Sequence, residues 1–155
     1  MPRAYLALGS NLGDRLAHLQ AAVDSLARVV AVSACSSVYE TDPVGPDQPD
    51  YLNAVVAVDT DLDARGLLAL AQGLEVEAER VREQRFGPRT LDVDVIWIDG
   101  VEIDEADLTV PHPRASERGF VLAPLSDVAP ELVDDAGPWA GVRPTDHALS
   151  VTQIP

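Results

Sequence analysis

Lysine is absent from this chain of 155 residues; all 11 of its basic residues are arginine. Any cationic contact to a ligand must therefore come from a planar guanidinium rather than a compact ammonium. A Gly-x-x-x-x-Gly-Lys-Ser/Thr phosphate loop is excluded on composition alone, and no Gly-x-Gly-x-x-Gly follows a strand-like run. Cysteine is reduced to Cys35, which rules out an internal disulfide and suits a reducing cytoplasm. No basic residue flanks it to favour a thiolate, so it reads as a small packing residue. No window approaches the ~20 apolar residues that a membrane span needs. The apolar run at 4–8 is too short for a secretion signal. Internal repeats and low-complexity linkers are also missing. Positive charge is scarce overall, with 26 acidic residues giving a formal charge of −15 and a pI near 4.3. Such a surface repels a phosphate backbone, so general nucleic-acid binding is disfavoured.

What is present suits one compact domain over residues 1–155, with 46% apolar residues and enough chain for a full core. Residues 4–8 read as a strand closed by Gly9-Ser10-Asn11-Leu12-Gly13. Asp14 can cap a helix to about Arg28, with Leu16, Leu19, Ala22, Val23 and Leu26 as its apolar stripe. Residues 30–39 alternate, with Val30, Val32, Ala34, Ser36 and Val38 on one side. Three prolines and a glycine make 40–50 a loop. A strand follows at 53–60, then a helix from an Asp63 cap to about Arg80. Strands are expected at 91–98 and 101–103, and a short helix at 119–127. The segment 134–155, rich in Pro, Gly and Asp, is expected to be a poorly structured tail. This order predicts an α+β fold, a two-layer sandwich resembling the ferredoxin-like arrangement, with a mainly antiparallel sheet and helices packed on it.

Two clusters carry chemistry. Four of the 11 arginines (Arg80, Arg82, Arg85, Arg89) fall within ten residues, a local cationic stretch in an acidic protein. Guanidinium forks match phosphate oxygens, although a helix end pairing with Glu75, Glu77 and Glu79 would use the same residues. Directly downstream, Asp92 and Asp94 alternate with Val93 and Val95. On a strand they share a face, about 6.5 Å apart at their Cα atoms, where their repulsion is relieved by a divalent cation. Magnesium takes carboxylate oxygens together with substrate phosphates, and two ions about 4 Å apart would grip a polyphosphate from both sides. An exposed edge strand with two solvated aspartates is the plain alternative. Tyr51-Leu52-Asn53 beside the proline-rich loop pairs a stacking ring with an amide, or simply packs. His112 lies among prolines and suits an exposed contact.

Taken in order, Leu8-Gly9-Ser10-Asn11-Leu12-Gly13, Tyr39-Glu40-Thr41, Gln48-Pro49-Asp50-Tyr51-Leu52-Asn53, Phe86-Gly87-Pro88-Arg89-Thr90-Leu91-Asp92-Val93-Asp94, Leu108-Thr109-Val110-Pro111-His112 and Arg118-Gly119-Phe120 resemble the 6-hydroxymethyl-7,8-dihydropterin pyrophosphokinases of folate biosynthesis. The resemblance covers about 4–133. It implies transfer of the β,γ-diphosphate of ATP to the pterin hydroxymethyl group, releasing AMP, with Mg2+ (two ions) held by Asp92 and Asp94. It assigns Arg80 and Arg89 to the transferring phosphates. It assigns Gly9, Thr41, Pro43, Val44, Tyr51, Asn53 and Phe120 to the pterin, and Gln72, Glu75, Arg82, Phe86, Ile96, Thr109, His112 and Arg118 to ATP. The chain departs from relatives at Phe86, where tryptophan is common, at Asp107, where some carry arginine, and at Pro113, where an aromatic often sits. A monomer is expected. Rival readings are a two-metal nucleotide phosphohydrolase and a non-catalytic ferredoxin-like module; neither needs an aromatic clamp for a second ring.

Overall fold

The structure, a computed structural model, describes residues 1–43, 48–79, 90–134 and 137–151. In chain order its elements are β1 (Arg3–Ser10), α1 (Arg15–Ala27), β2 (Ala31–Cys35), β3 (Ser37–Thr41), β4 (Tyr51–Asp59), α2 (Ala64–Glu79), β5 (Asp92–Ile98), β6 (Ile103–Glu105), β7 (Leu108–Val110), α3 (Gly119–Val128) and β8 (Val142–Ala148). Both long helices start where short acidic side chains can cap them. Asp14 Oδ1 accepts from the Ala17 amide at 3.1 Å, and Asp63 Oδ1 from the Gly66 amide at 2.8 Å. These bonds satisfy donors that have no partner within the first turn.

The main sheet runs β5-β1-β4-β3-β8, with β2 beside β4 further along the same edge. Every pairing is antiparallel. Two interleaved β-α-β units produce this order and place β1 and β4 at the centre, as the strand and helix periods predict. Alternation then divides the sheet. Leu6, Leu8, Ala54, Val56, Val58, Val93 and Val95 form one core with Leu19, Val23 and Leu26 of α1 and Leu67, Ala71 and Leu74 of α2. Tyr5, Val55, Ala57 and Ile96 face the other way, against Val121 and Leu125 of α3. Because α3 starts only at Gly119 and packs on β4 and β3, it covers one part of that second face and, among the described residues, leaves the rest open.

Two strands slip phase. In β5 the pairing jumps from Leu6↔Val95 to Tyr5↔Trp97, so Ile96 is an extra residue. In β2 it jumps from Val32↔Val58 to Ala34↔Ala57, leaving Ser33 as the extra residue; its hydroxyl donates to the Ala57 carbonyl at 3.1 Å. The single alternating strand expected over 30–39 is therefore two strands. Val32 and Val38 reach the α1/α2 core, whereas Ala34 packs against the α3 side. At the break, Ser36 Oγ accepts from the Val55 amide at 2.8 Å and replaces a ladder bond. Cys35 is half-buried, and burial pushes its thiol up to about 11, so it carries no thiolate at neutral pH.

The tail departs from expectation. Residues 142–148 form β8, which pairs with β3 from Ser37↔Ala148 to Thr41↔Val142. Proline and glycine argued for loop, but an outer strand tolerates Pro144 because, among the described residues, only one of its edges is paired. The expected strand at 101–103 lies at Ile103–Glu105 and pairs with Leu108–Val110, a partner that the sequence reading did not contain. Among the described residues, no helix is long and apolar enough to cross a membrane.

Leu6 is fully buried at the centre of the larger core. Leu6→Ala should cost about 2–5 kcal/mol in urea unfolding. A loss below about 1 kcal/mol would mean that this core is loosely packed.

Candidate active site

The open part of the second sheet face is built around Gly9. Register places Gly9 opposite Asn53 on β4 and opposite Asp92 on β5, while Ala7 stands opposite Asp94. On the next pair, Thr41 of β3 faces Tyr51 of β4. Asn53 Nδ2 donates to Thr41 Oγ1, and both residues are buried. A Cβ added at Gly9 would lie 2.8 Å from Asn53 Oδ1 and 3.4 Å from the Tyr51 ring. The glycine is therefore required by close approach: the amide lies over β1 where any other residue would carry a side chain.

Above this row opens a cavity of about 320 Å³, lined by Gly9, Thr41, Tyr51, Asn53, Asp92, Asp94, Arg118 and Phe120, together with Ala7, Leu8, Asp42, Gln48 and Val121. Tyr51 and Phe120 enter it from β4 and from the first turn of α3. The Arg118 guanidinium lies 5.6 Å from the centre of the Phe120 ring, a cation–π distance. A second cavity of about 280 Å³ is lined by Leu68, Val93, Asp94, Val95, Asp107, Thr109, His112 and Pro113, with Ala106 and Leu108. Asp94 borders both. Asp92 is half-buried and Asp94 exposed, on the outermost strand of the sheet.

The edge of β5 is secured by the residues around it. Glu75 Oε2 accepts from the Val93 amide at 3.0 Å, and the His112 amide donates to the Ile96 carbonyl at 3.0 Å. His112 Nδ1 accepts from the Arg114 amide at 3.3 Å. Burial holds the His112 pKa below its ordinary value; Arg114 and Arg118 push the same way and Asp94 opposes them. The neutral ring thus presents its other nitrogen as a donor. Asp107 accepts from Arg65 Nη1 at 2.7 Å, while Arg65 Nη2 donates to Glu105 at 2.8 Å. That guanidinium lowers the Asp107 pKa.

The sequence therefore named eight residues that meet in the first cavity, and Asp94, Thr109 and His112 in the second. Arg118, assigned to ATP by resemblance, stands in the first cavity beside Phe120. Gln72 is exposed on α2, Pro43 is half-buried, and the Ile96 side chain is buried against α3. Val44, Arg80, Arg82, Phe86 and Arg89 lie outside the described residues. Asp42 and Gln48 line the cavity without having been singled out. The supports of the neighbouring loop lie behind it: Asn11 Nδ2 donates to Gln48 Oε1 at 3.2 Å and to the Pro49 carbonyl at 3.1 Å. Arg15 Nη1 donates to Glu40 at 2.8 Å and to the Asp50 carbonyl at 2.9 Å. The Gly9–Gly13 turn had signalled only a break in the strand; its buried asparagine is the clue to these bonds.

Residues 5–130 match the family model of 7,8-dihydro-6-hydroxymethylpterin-pyrophosphokinase (HPPK). The chain belongs to this family. It is 47% identical over 136 residues to the 2-amino-4-hydroxy-6-hydroxymethyldihydropteridine pyrophosphokinase of Methylorubrum extorquens, covering 86% of each chain. It is also 47% identical over 136 residues to the enzyme of that name from Bacillus subtilis, covering 86% of this chain and 81% of the relative. Among solved structures, an HPPK-DHPS in complex with substrates superposes with a TM-score of 0.66 at 13% identity, covering 84% of this chain and 42% of that one. A Plasmodium falciparum HPPK-DHPS gives 0.66 at 14% identity, with the same coverage. At such identities the likeness is one of fold, and the chain spans about two-fifths of those structures. In this pyrophosphokinase family member, Gly9 leaves the gap that Asn53 fills, and Asp92 stands beside it on β5.

Gly9→Ala should force Asn53 to turn away and break its bond to Thr41, costing about 1–3 kcal/mol. Denaturant unfolding and the Asn53 side-chain amide signals in NMR read this together. An unchanged stability with those signals in place would remove the close approach at Gly9.

Proposed function

We propose that the chain transfers the β,γ-diphosphate of ATP to the hydroxymethyl oxygen of 6-hydroxymethyl-7,8-dihydropterin, giving AMP and the pterin diphosphate. The observation that carries this reading is Asp94: one carboxylate borders both cavities, so two substrates placed in them meet beside it. The first cavity suits a flat heterocycle. Tyr51 and Phe120 supply faces for stacking, and Asn53, fixed by Thr41, offers its remaining amide groups to the polar edge of the ring. The second cavity takes the nucleotide side, where Thr109 offers a hydroxyl and neutral His112 a ring N–H.

Asp92 and Asp94 are the groups that would hold magnesium. Their donor set fits: two carboxylates at alternate positions on one face provide hard oxygen ligands, and the described residues contain no cluster of three or more His, Cys, Asp or Glu that would complete a closed cage. Such a pair leaves positions for phosphate oxygens and water, as magnesium prefers. When bound, the cation supplies charge neutralisation along the polyphosphate. The protein's own contribution is placement. The hydroxymethyl oxygen attacks the β-phosphorus, the bond from that phosphorus to the oxygen bridging it to the α-phosphorus breaks, and AMP leaves. We assign the hydroxyl proton to Asp94, the carboxylate both cavities share. Arg80, Arg82 and Arg89, just upstream of β5 in sequence, would supply guanidiniums to the migrating phosphates, and Phe86 an aromatic cover. The resemblance also assigns Pro43 and Val44 to the pterin and Gln72, Glu75 and Ile96 to ATP; Pro43, Gln72, Glu75 and Ile96 line neither cavity.

Incubation with ATP, magnesium and the pterin should release AMP only when the pterin is present. Phosphate or pyrophosphate release without pterin would favour a hydrolase, and ATP binding without turnover a binding module. Asp92→Ala and Asp94→Ala should each lower turnover by about a thousandfold or more with the circular dichroism spectrum retained; near-normal rates would remove the cation assignment. Tyr51→Ala should weaken pterin binding by about tenfold or more and leave ATP binding unaltered. An unchanged pterin affinity takes the ring out of the pocket.

A further inference from the structure

Residues 137–151 lie beyond the span that the family model matches, yet they touch the segment bordering the first cavity. β8 sets Arg143 opposite Glu40 and Val142 opposite Thr41. From there Arg143 Nη1 donates to Asp42 Oδ1 at 2.8 Å and Nη2 to Asp50 Oδ2 at 3.0 Å. The Asp42 amide donates to the Gly141 carbonyl at 2.9 Å. Gly141 has φ +72°, and a Cβ there would sit 2.8 Å from Asp42 Oδ2, so the tail lies tightly on this aspartate. A small cavity of about 200 Å³ is walled by Thr41, Asp42 and Phe120 on one side and by residues 140–142 on the other. Those first three residues also line the first cavity.

Charge explains why one arginine matters here. Glu40, Asp42 and Asp50 crowd the rim, and each of them raises the Arg143 pKa. Arg15 answers Glu40 and the Asp50 carbonyl, whereas the two carboxylates of Asp42 and Asp50 share the fork of Arg143. Removing that fork leaves like charges side by side at the mouth of the cavity. A lysine, with a single point of charge, cannot hold both in one fixed geometry.

We propose that Arg143 is a positioning residue for the pterin. Its two-pronged tether sets the spacing between Asp42 and Asp50, and so presents Thr41, Gln48 and Tyr51 to the ring. The inference rests on the reading that the first cavity takes the pterin. Both pairs are largely exposed, which limits the effect and makes it sensitive to salt.

The test is steady-state AMP release by the intact chain, with pterin and ATP varied separately. Arg143→Ala should raise the pterin KM by about three- to tenfold while kcat and the ATP KM stay within about twofold and Tm is retained. Arg143→Lys should not restore the wild-type constant. Raising the salt concentration should bring the wild-type pterin KM towards that of the variant. Arg143→Gln keeps most of the stem and replaces the alanine variant if that one loses its fold. An unchanged pterin KM, an equal rise in both KM values, or full rescue by lysine overturns the proposal. Absence of pterin-dependent AMP from the wild-type chain would overturn the parent reading instead.

Discussion

The site depends on one missing side chain. At Gly9 three strands run side by side, and the space above that residue is occupied by the amide of Asn53, which is itself held by Thr41. A polar group can lie flat on the sheet only because the central strand contributes nothing there. This fixes the floor of the first cavity, orients an amide in an otherwise apolar layer, and leaves Asp92 on the neighbouring strand with room for a ligand. Burying an amide is costly unless its bonds are satisfied, so the hydroxyl of Thr41 is as much a part of the floor as the glycine.

Around that floor the protein spends its polar residues on holding things still. The outermost strand carrying the two aspartates would be a pairing hazard if left bare, and it is covered from α2 by Glu75 and from beyond β7 by the His112 backbone. Asn11 and Arg15 brace the loop on the opposite side of the cavity. Glu75 ties β5 to α2, and Arg15 ties residue 50 to α1, so the groups facing the cavities are placed before any ligand arrives, the condition under which charge stabilisation is effective.

Much of this was legible in the chain. Helical stripes at Leu19, Val23 and Leu26 and at Leu67 and Leu74, the caps at Asp14 and Asp63, and the apolar β4 run were enough for the order of elements. The Asp92/Asp94 pair could be read because its period of two is local. What escaped was contingent on contacts distant in sequence. Ser33 and Ser36 replace ladder bonds with hydroxyls, which ended one strand and started another where alternation alone suggested continuity. β8 carries Pro144 and polar residues, and its strand conformation comes from pairing with β3 rather than from propensity. Arg15, Asp42 and Arg143 gave no periodic signal, since a salt bridge across 101 positions leaves none.

The extra residue at Ile96 has a consequence for how this gene can change. Before it, β5 points its aspartates to the open face and its valines to the helices; after it, Ile98 must again find the helices while Trp97 turns outward with Ile96. An uninterrupted strand satisfies only one of these two ends. Loss of that single codon would rotate everything on one side of the gap by half a turn, burying carboxylates or exposing core. Change in this stretch is therefore confined to replacement of one side chain by another.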